Sequence, residues 1–287
     1  MVNLRDILQG MTPPMVTPFD DHEIDFQAFD ELIRHVLDGG VDALFVAGTT
    51  GEAASLDLEE KQSLLMRAVE LAPEEIPVLV GGTGTSIGDT RAWMATASTL
   101  GADGVFLTAP FFHTSDASGG YQRFFEELIG YTDLPIVLYN IPAYVGREIP
   151  VDVVESISTY DAVIGLKDSS GDFGYGMTIQ ERTPDDFLML QGVDELLLPS
   201  MRMGFDGGVN AGANVFPGAY TALVENSGTD DARSIHDQQI CPLFSLCQDH
   251  GFAPGIKAAL VAREILQEEA VRPPHVPVDP GIADSVI

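Results

Sequence analysis

A lysine placed for covalent chemistry ends the segment Val163-Ile164-Gly165-Leu166-Lys167-Asp168-Ser169-Ser170-Gly171. If residues 163–167 form a strand, alternation puts Val163, Gly165 and Lys167 on one face and Ile164 and Leu166 on the other. With the first face inward, Lys167 points into an apolar interior, and Gly165 beneath it leaves space for a ligand. Such surroundings disfavour the ammonium form, and a neutral amine attacks carbonyl carbon. A strand-end lysine can also snorkel to solvent. The chain, however, holds lysine only at Lys61, Lys167 and Lys257, so keeping one here favours chemistry.

Three further segments carry residues that suit a carbonyl substrate. Val137-Leu138-Tyr139-Asn140-Ile141-Pro142 ends the preceding expected strand, and Tyr139 points inward by the same alternation. Adjacent strands lie about 4.8 Å apart, so the phenol can reach a ligand on Lys167 and pass protons; it can also be an ordinary buried tyrosine. Ala47-Gly48-Thr49-Thr50-Gly51-Glu52 presents hydroxyls and backbone N–H groups suited to a carboxylate. It lacks the Gly-Lys-Ser/Thr of a phosphate loop, and a tight strand–helix turn is the simpler alternative. Gly207-Gly208-Val209-Asn210-Ala211-Gly212-Ala213-Asn214 is rich in small residues that let a ligand approach backbone directly. The glycines of Gly81-Gly82-Thr83-Gly84-Thr85-Ser86 read as a structural turn. A lysine, a tyrosine and a carboxylate cradle together fit a 2-oxo acid held as an imine.

The elements that must position these groups alternate. Short apolar, β-branched runs at residues 15–17, 43–47, 77–81, 104–108, 136–140, 163–167, 187–191 and 207–210 are each followed by a helical period, at 26–38, 58–71, 87–100, 120–131, 151–158, 175–181, 195–203 and 217–225. Strands alternating with helices in this number predict an α/β fold, a (β/α)8 TIM barrel over residues 1–225, with the chemistry at the C-terminal strand ends. A doubly wound sheet would want a glycine-rich dinucleotide turn after the first strand, and none is present. Residues 226–287 read as a C-terminal helical appendix, with helices at 230–250 and 253–267 and prolines beyond, an ordinary outer layer without chemistry.

Composition bounds the rest. The 287 residues carry 14 Lys and Arg against 44 Asp and Glu, a net charge of −30. This balance excludes a general nucleic-acid role, which needs basic patches. Disorder also demands low hydrophobicity, whereas the mean hydropathy is +0.12. The acids are spread over short stretches, as in Asp20-Asp21, Glu59-Glu60 and Asp230-Asp231, and fit a cytoplasm of high ionic strength that screens self-repulsion. No membrane span or leader is expected, so the location is read as cytoplasmic. Cys241 and Cys247 are expected as free, buried thiols.

At Gly48-Thr49-Thr50-Gly51-Glu52, Tyr139-Asn140-Ile141-Pro142 and Gly165-Leu166-Lys167-Asp168 the sequence resembles the dihydrodipicolinate synthase / N-acetylneuraminate lyase family of class I aldolases. The resemblance runs from about residue 10 to about residue 270, with the motifs in order at barrel spacing. It implies that Lys167 forms the Schiff base, Tyr139 relays protons, and Thr49 and Thr50 bind the pyruvyl carboxylate beside Gly48. It also implies a homotetramer, 2-oxo acid and aldehyde substrates, and no cofactor or metal.

Two departures bear on the activity. Tyr144 stands where the synthases carry an arginine for the aldehyde's carboxylate, and Phe112 stands where they carry a second relay tyrosine. The stretch from Asp206 to Pro217 is similar to that of archaeal 2-keto-3-deoxygluconate aldolases. The expectation is therefore a carbon–carbon lyase cleaving 2-keto-3-deoxygluconate, or its 6-phosphate, to pyruvate and glyceraldehyde, or its 3-phosphate. Tyr144, Asn210 and Ala211 are expected to help bind the substrate, and Arg147 is the nearby cation for a phosphorylated one. The alternatives are 4-hydroxy-tetrahydrodipicolinate synthase, a dehydratase sharing the imine, and a ligand-binding barrel that has lost catalysis.

Overall fold

The computed structural model describes residues 3–111, 113, 118–284 and 286. Phe112 and residues 114–117 lie outside them, and so does the expectation placed on Phe112. The central sheet is parallel and seven-stranded, in sequence order from β3 to β9: β3 (Leu44–Val46), β4 (Val78–Gly81), β5 (Gly104–Thr108), β6 (Ile136–Asn140), β7 (Val163–Asp168), β8 (Leu188–Gln191) and β9 (Gly207–Gly208). β5, β6 and β8 are buried at nearly every position, as expected when helices cover a parallel sheet. Full burial of each Leu, Ile or Val in them contributes roughly 1.5–3 kcal/mol relative to exposure.

The expected first strand at 15–17 needs correction. Its place is taken by residues slightly earlier in the chain, as isolated parallel bridges from Met11 to Gly208 and from Pro14 to Phe45. Thr12 N donates to Gly208 O and Met15 N to Phe45 O, so this segment joins β9 to β3 and closes the barrel. Pro13 and Pro14 have no N–H to give, and a continuous ladder cannot form there. Asn214 helps hold the segment in place. Its Nδ2 donates to Pro14 O at 2.9 Å, and its Oδ1 accepts from Val16 N at 3.2 Å.

The helices pack outside. α2 (Phe26–Asp38) buries Phe29, Leu32, Ile33 and Val36, one helical stripe, and Asp25 caps it at Ala28 N. α3 (Leu58–Leu71) starts in a reciprocal capping box between Asp57 and Glu60. α4 (Ile87–Thr99), α5 (Ser118–Ile129), α7 (Val151–Ile157), α8 (Phe173–Arg182), α9 (Leu197–Arg202) and α10 (Pro217–Glu225) follow their strands, and short α6 (Pro142–Val145) directly follows β6. The sequence periods do not indicate α1 (Leu4–Ile7) or the hairpin of β1 (Phe19–Asp20) and β2 (Glu23–Ile24). The hairpin turns through Asp21 at φ 53°, a conformation aspartate tolerates better than most residues.

Every regular element after α10 is helical: α11 (Asp230–Ile235), a π turn (His236–Ile240), α12 (Cys241–His250), α13 (Phe252–Ala262) and α14 (Pro280–Ala283), with irregular chain between the last two. The single helix expected over 230–250 is thus widened at its middle. Pro242 cannot donate to the carbonyl four residues back, and the π turn lies just before it. The helix expected to reach residue 267 stops earlier, with Glu264 left-handed at φ 60°. Cys247 is buried and Cys241 half-buried, both free. Among the described residues no helix is long and apolar enough to cross a membrane.

Candidate active site

Lys167 and Tyr139 are register partners across β6 and β7. The register skips Ile164, so Gly165 faces Val137 and Lys167 faces Tyr139. Lys167 is 3% exposed. Its Nζ lies 4.1 Å from the centre of the Tyr139 ring and 5.4 Å from that of Phe45. Phe45 stacks on Phe106 at 4.2 Å, and Phe106 meets Tyr139 edge-on at 6.4 Å. Three rings from three strands therefore form an apolar wall around the amine, which was not foreseen from sequence. The Tyr139 hydroxyl makes no hydrogen bond to a described residue.

The room around the lysine comes from an unexpected glycine. A Cβ on Gly165 would lie 2.7 Å from Leu188 O, so Gly165 allows close approach of β8 and leaves no ligand space. A Cβ on Gly192, just past β8, would come within 2.8 Å of Lys167 Cε and overlap Ser169 Oγ. Gly192 is what accommodates the lysine stem.

Strand ends around the pair are pinned by polar groups. Asn140 Nδ2 donates to Asp168 Oδ1 at 2.8 Å, and Asn140 Oδ1 accepts from Ile149 N at 3.0 Å. Asp168 also accepts from Ser170 N and Oγ. Burial nonetheless raises its carboxyl above the usual range, with these hydrogen bonds opposing. On the far side, Asp194 Oδ1 accepts from Gly212 N at 2.9 Å and from the Tyr220 hydroxyl at 2.5 Å. Burial raises the Asp194 carboxyl as well, while Tyr220, Gly212, Asn210 and Lys167 pull it back.

The turn of residues 48–52 follows β3. Gly48 packs on the Phe45 ring, where a Cβ would come within 2.7 Å of Cζ, and this ring joins the turn to the Lys167 pocket. Thr50 is buried and Thr49 half-buried, and neither hydroxyl hydrogen-bonds to a described residue. Glu52 N donates to Thr49 O and Ala53 N to Gly48 O. Ala47 and Glu52, at either end, are left-handed at φ 50° and 56°. A carboxylate can be received here by two hydroxyls.

The glycines of residues 207–212 serve packing, contrary to the expectation that they open backbone to a ligand. Added Cβ atoms would strike Leu8 O at Gly207, Met11 Cε at Gly208 and the Tyr220 hydroxyl at Gly212. Asn210 remains a binding candidate. Its amide is fully buried beside Asp194, without good hydrogen-bond geometry to any described group, and such an amide can bind a ligand oxygen. Ala211 is buried next to it. Tyr144, on α6, is 56% exposed yet within electrostatic reach of Tyr139. Arg147 lies exposed just beyond it.

Comparison with known proteins adds a family. The family model described as "Dihydrodipicolinate synthetase family" matches residues 7–286. The 4-hydroxy-tetrahydrodipicolinate synthase of Oceanobacillus iheyensis is 35% identical over 237 residues, covering 80% of this chain and 79% of its own. The 4-hydroxy-tetrahydrodipicolinate synthase 2 of Clostridium acetobutylicum is 29% identical over 281 residues, covering 97% and 98%. Among solved structures, the dihydrodipicolinate synthase of Thermotoga maritima is similar with a TM-score of 0.92 at 27% identity, covering 98% of this chain and 96% of that one.

Proposed function

The chain belongs to the dihydrodipicolinate synthetase family, enzymes of the pyruvate-dependent class I aldolase type, and from that premise we propose that it captures pyruvate as an imine on Lys167 and condenses it with aspartate semialdehyde. The observation that carries the first half is the Lys167 amine, 3% exposed and 4.1 Å from the Tyr139 ring centre. The neutral amine adds to C2 of pyruvate, and loss of water gives the imine. Thr49 and Thr50 hold the pyruvyl carboxylate, and Asn210 offers its amide to a further substrate oxygen. Loss of a C3 proton gives the enamine, whose carbon attacks the aldehyde. Tyr139 moves protons to and from the oxygens that gain and lose them. In reverse, the same groups split the bond between C3 and C4, with the imine as electron sink.

For the second half, whole-chain similarity to proteins named 4-hydroxy-tetrahydrodipicolinate synthase outweighs the two departures, and it moves aspartate semialdehyde ahead of the sugar-acid aldehyde expected first. One feature favours the other reading, 2-keto-3-deoxygluconate cleavage: Tyr144, which the family resemblance sets where the synthases carry an anion-binding arginine, presents an exposed uncharged ring. A net charge of −30 also disfavours an anionic acceptor unless a local cation such as Arg147 compensates. The test is kcat/KM for aspartate semialdehyde, glyceraldehyde and glyceraldehyde 3-phosphate with pyruvate, at one fixed molar salt. Aspartate semialdehyde should lead; glyceraldehyde in first place would replace the synthase reading by the sugar-acid aldolase. The reading also includes a homotetramer working in a cytoplasm of high ionic strength, supported by the family and by the charge.

A further inference from the structure

The second buried lysine lies far from Lys167 in its contacts, in the helical region expected to lack chemistry. Lys257, on α13, and Glu52, at the end of the 48–52 turn, both have side chains with 0% exposure. Lys257 Nζ donates to Glu52 Oε1 at 2.6 Å and to Ala270 O at 2.7 Å. Glu52 Oε2 accepts from Arg272 N at 2.9 Å. The Arg272 guanidinium donates to Ser55 O at 2.9 Å and to Glu60 Oε2 at 2.8 Å. Both cations also rest on the Phe19 ring, at 4.2 Å for Lys257 and 4.5 Å for Arg272. From the N-terminal side, Thr17 Oγ1 donates to Gly51 O at 2.8 Å.

A buried ion pair is a weak device for stability, because desolvation offsets its attraction, and well-packed apolar residues often replace it without loss. Stability alone therefore explains poorly why a chain with so few lysines buries one here. Position explains it better. Glu52 is left-handed, as is Ala47 at the other end of the turn. Non-glycine residues hold this conformation only where surrounding structure over-determines it. Glu52 N is also the donor to Thr49 O, so a displaced Glu52 would release the backbone beside both threonines.

We infer that Glu52, Lys257 and Arg272 form a strut by which the C-terminal region fixes the 48–52 turn, and that Lys257 is a positioning residue for pyruvate capture without touching pyruvate. This rests on the reading that Thr49 and Thr50 hold the pyruvyl carboxylate. Burial lowers the Lys257 ammonium to about 8 despite its partner, which agrees with a dry, enclosed strut.

The test uses full-length protein in molar salt and two variants, K257M and the double E52L/K257M. The first leaves Glu52 buried without its cation, held only by Arg272 N, and can fail to fold; the second replaces the whole pair by apolar side chains. For the folded double variant, the pyruvate concentration giving half-maximal borohydride trapping on Lys167, and the KM for pyruvate, should rise about 10-fold or more, since misplacement by about 1 Å costs up to ~10²-fold. The KM for the aldehyde and kcat at saturating pyruvate should stay within about 3-fold, the pattern of lost uniform binding, equal in ground and transition states. A folded double variant with wild-type pyruvate dependence would overturn the strut while leaving the imine chemistry intact. Wild-type protein that does not trap pyruvate on Lys167 would overturn both.

Discussion

Replacing Gly192 by alanine is the sharpest probe of how the reactive amine is held. The φ of Gly192 lies outside the left-handed region, so alanine meets no backbone strain and the effect is steric. The new methyl would stand 2.8 Å from Lys167 Cε and 3.0 Å from Asp168 O, and would overlap Ser169 Oγ. Carbon atoms settle at about 3.5–4.0 Å. The lysine stem must therefore retreat by about 1 Å, away from β8 and toward the Phe45 and Tyr139 rings, while Ser169 can rotate aside. Overpacking of this kind costs roughly 1–3 kcal/mol of stability, which a barrel of this size should survive. Moving a reacting amine by about 1 Å should cost up to ~10²-fold in imine formation. The assay is the rate of borohydride-trapped pyruvate on Lys167, followed by mass, with kcat/KM for condensation alongside. The double variant Gly192→Ala/Ser169→Ala removes the hydroxyl clash and leaves the lysine clash, so its loss should persist. A folded G192A protein that traps pyruvate at the wild-type rate would refute the view that Gly192 sets the position of the amine.

Other expected outcomes concern the same site and the whole molecule. Lys167→Ala should abolish pyruvate trapping, and peptide mapping that finds the adduct elsewhere would remove Lys167 from its role. Tyr139→Phe keeps the ring beside Nζ and removes the hydroxyl, so turnover should fall about 10²–10⁴-fold with the fold intact; near-normal turnover would assign proton transfer to another group. At a net charge of −30, the melting temperature should climb steeply from low to molar salt as the screening length shrinks to about 3 Å, and a flat profile would contradict the reading of the acidic surface. Burial raises the Asp206 carboxyl, so its stabilising contribution is full below the ordinary carboxylate value and is lost as pH rises through the raised one. Asp206→Asn should therefore show a smaller gain in melting temperature on acidification than the wild type, and equal gains would deny that shift.

What the sequence determined by itself is the part governed by local period. Alternation along β6 and β7 is enough to put Tyr139 and Lys167 on the inward face of neighbouring strands, but that they stand opposite each other depends on the register skipping Ile164. Helical stripes such as Phe29, Leu32, Ile33 and Val36 likewise declare their buried face without reference to anything distant. Only the tertiary structure could decide which glycine makes room for what. Gly165 and Gly192 are alike in sequence, yet one admits the backbone of β8 and the other the stem of Lys167, since the answer depends on the neighbour brought against each. Prolines interrupt the segment just before the first expected strand, which takes that strand's place in the barrel through isolated bridges and the Asn214 amide from the far end of the barrel. The strut at Glu52 is the extreme case. Its partners lie 205 and 220 residues away along the chain, and no periodicity links positions so far apart. They meet because the barrel closes and the C-terminal region folds back over it, leaving a buried carboxylate that finds the Lys257 ammonium and the Arg272 N–H there.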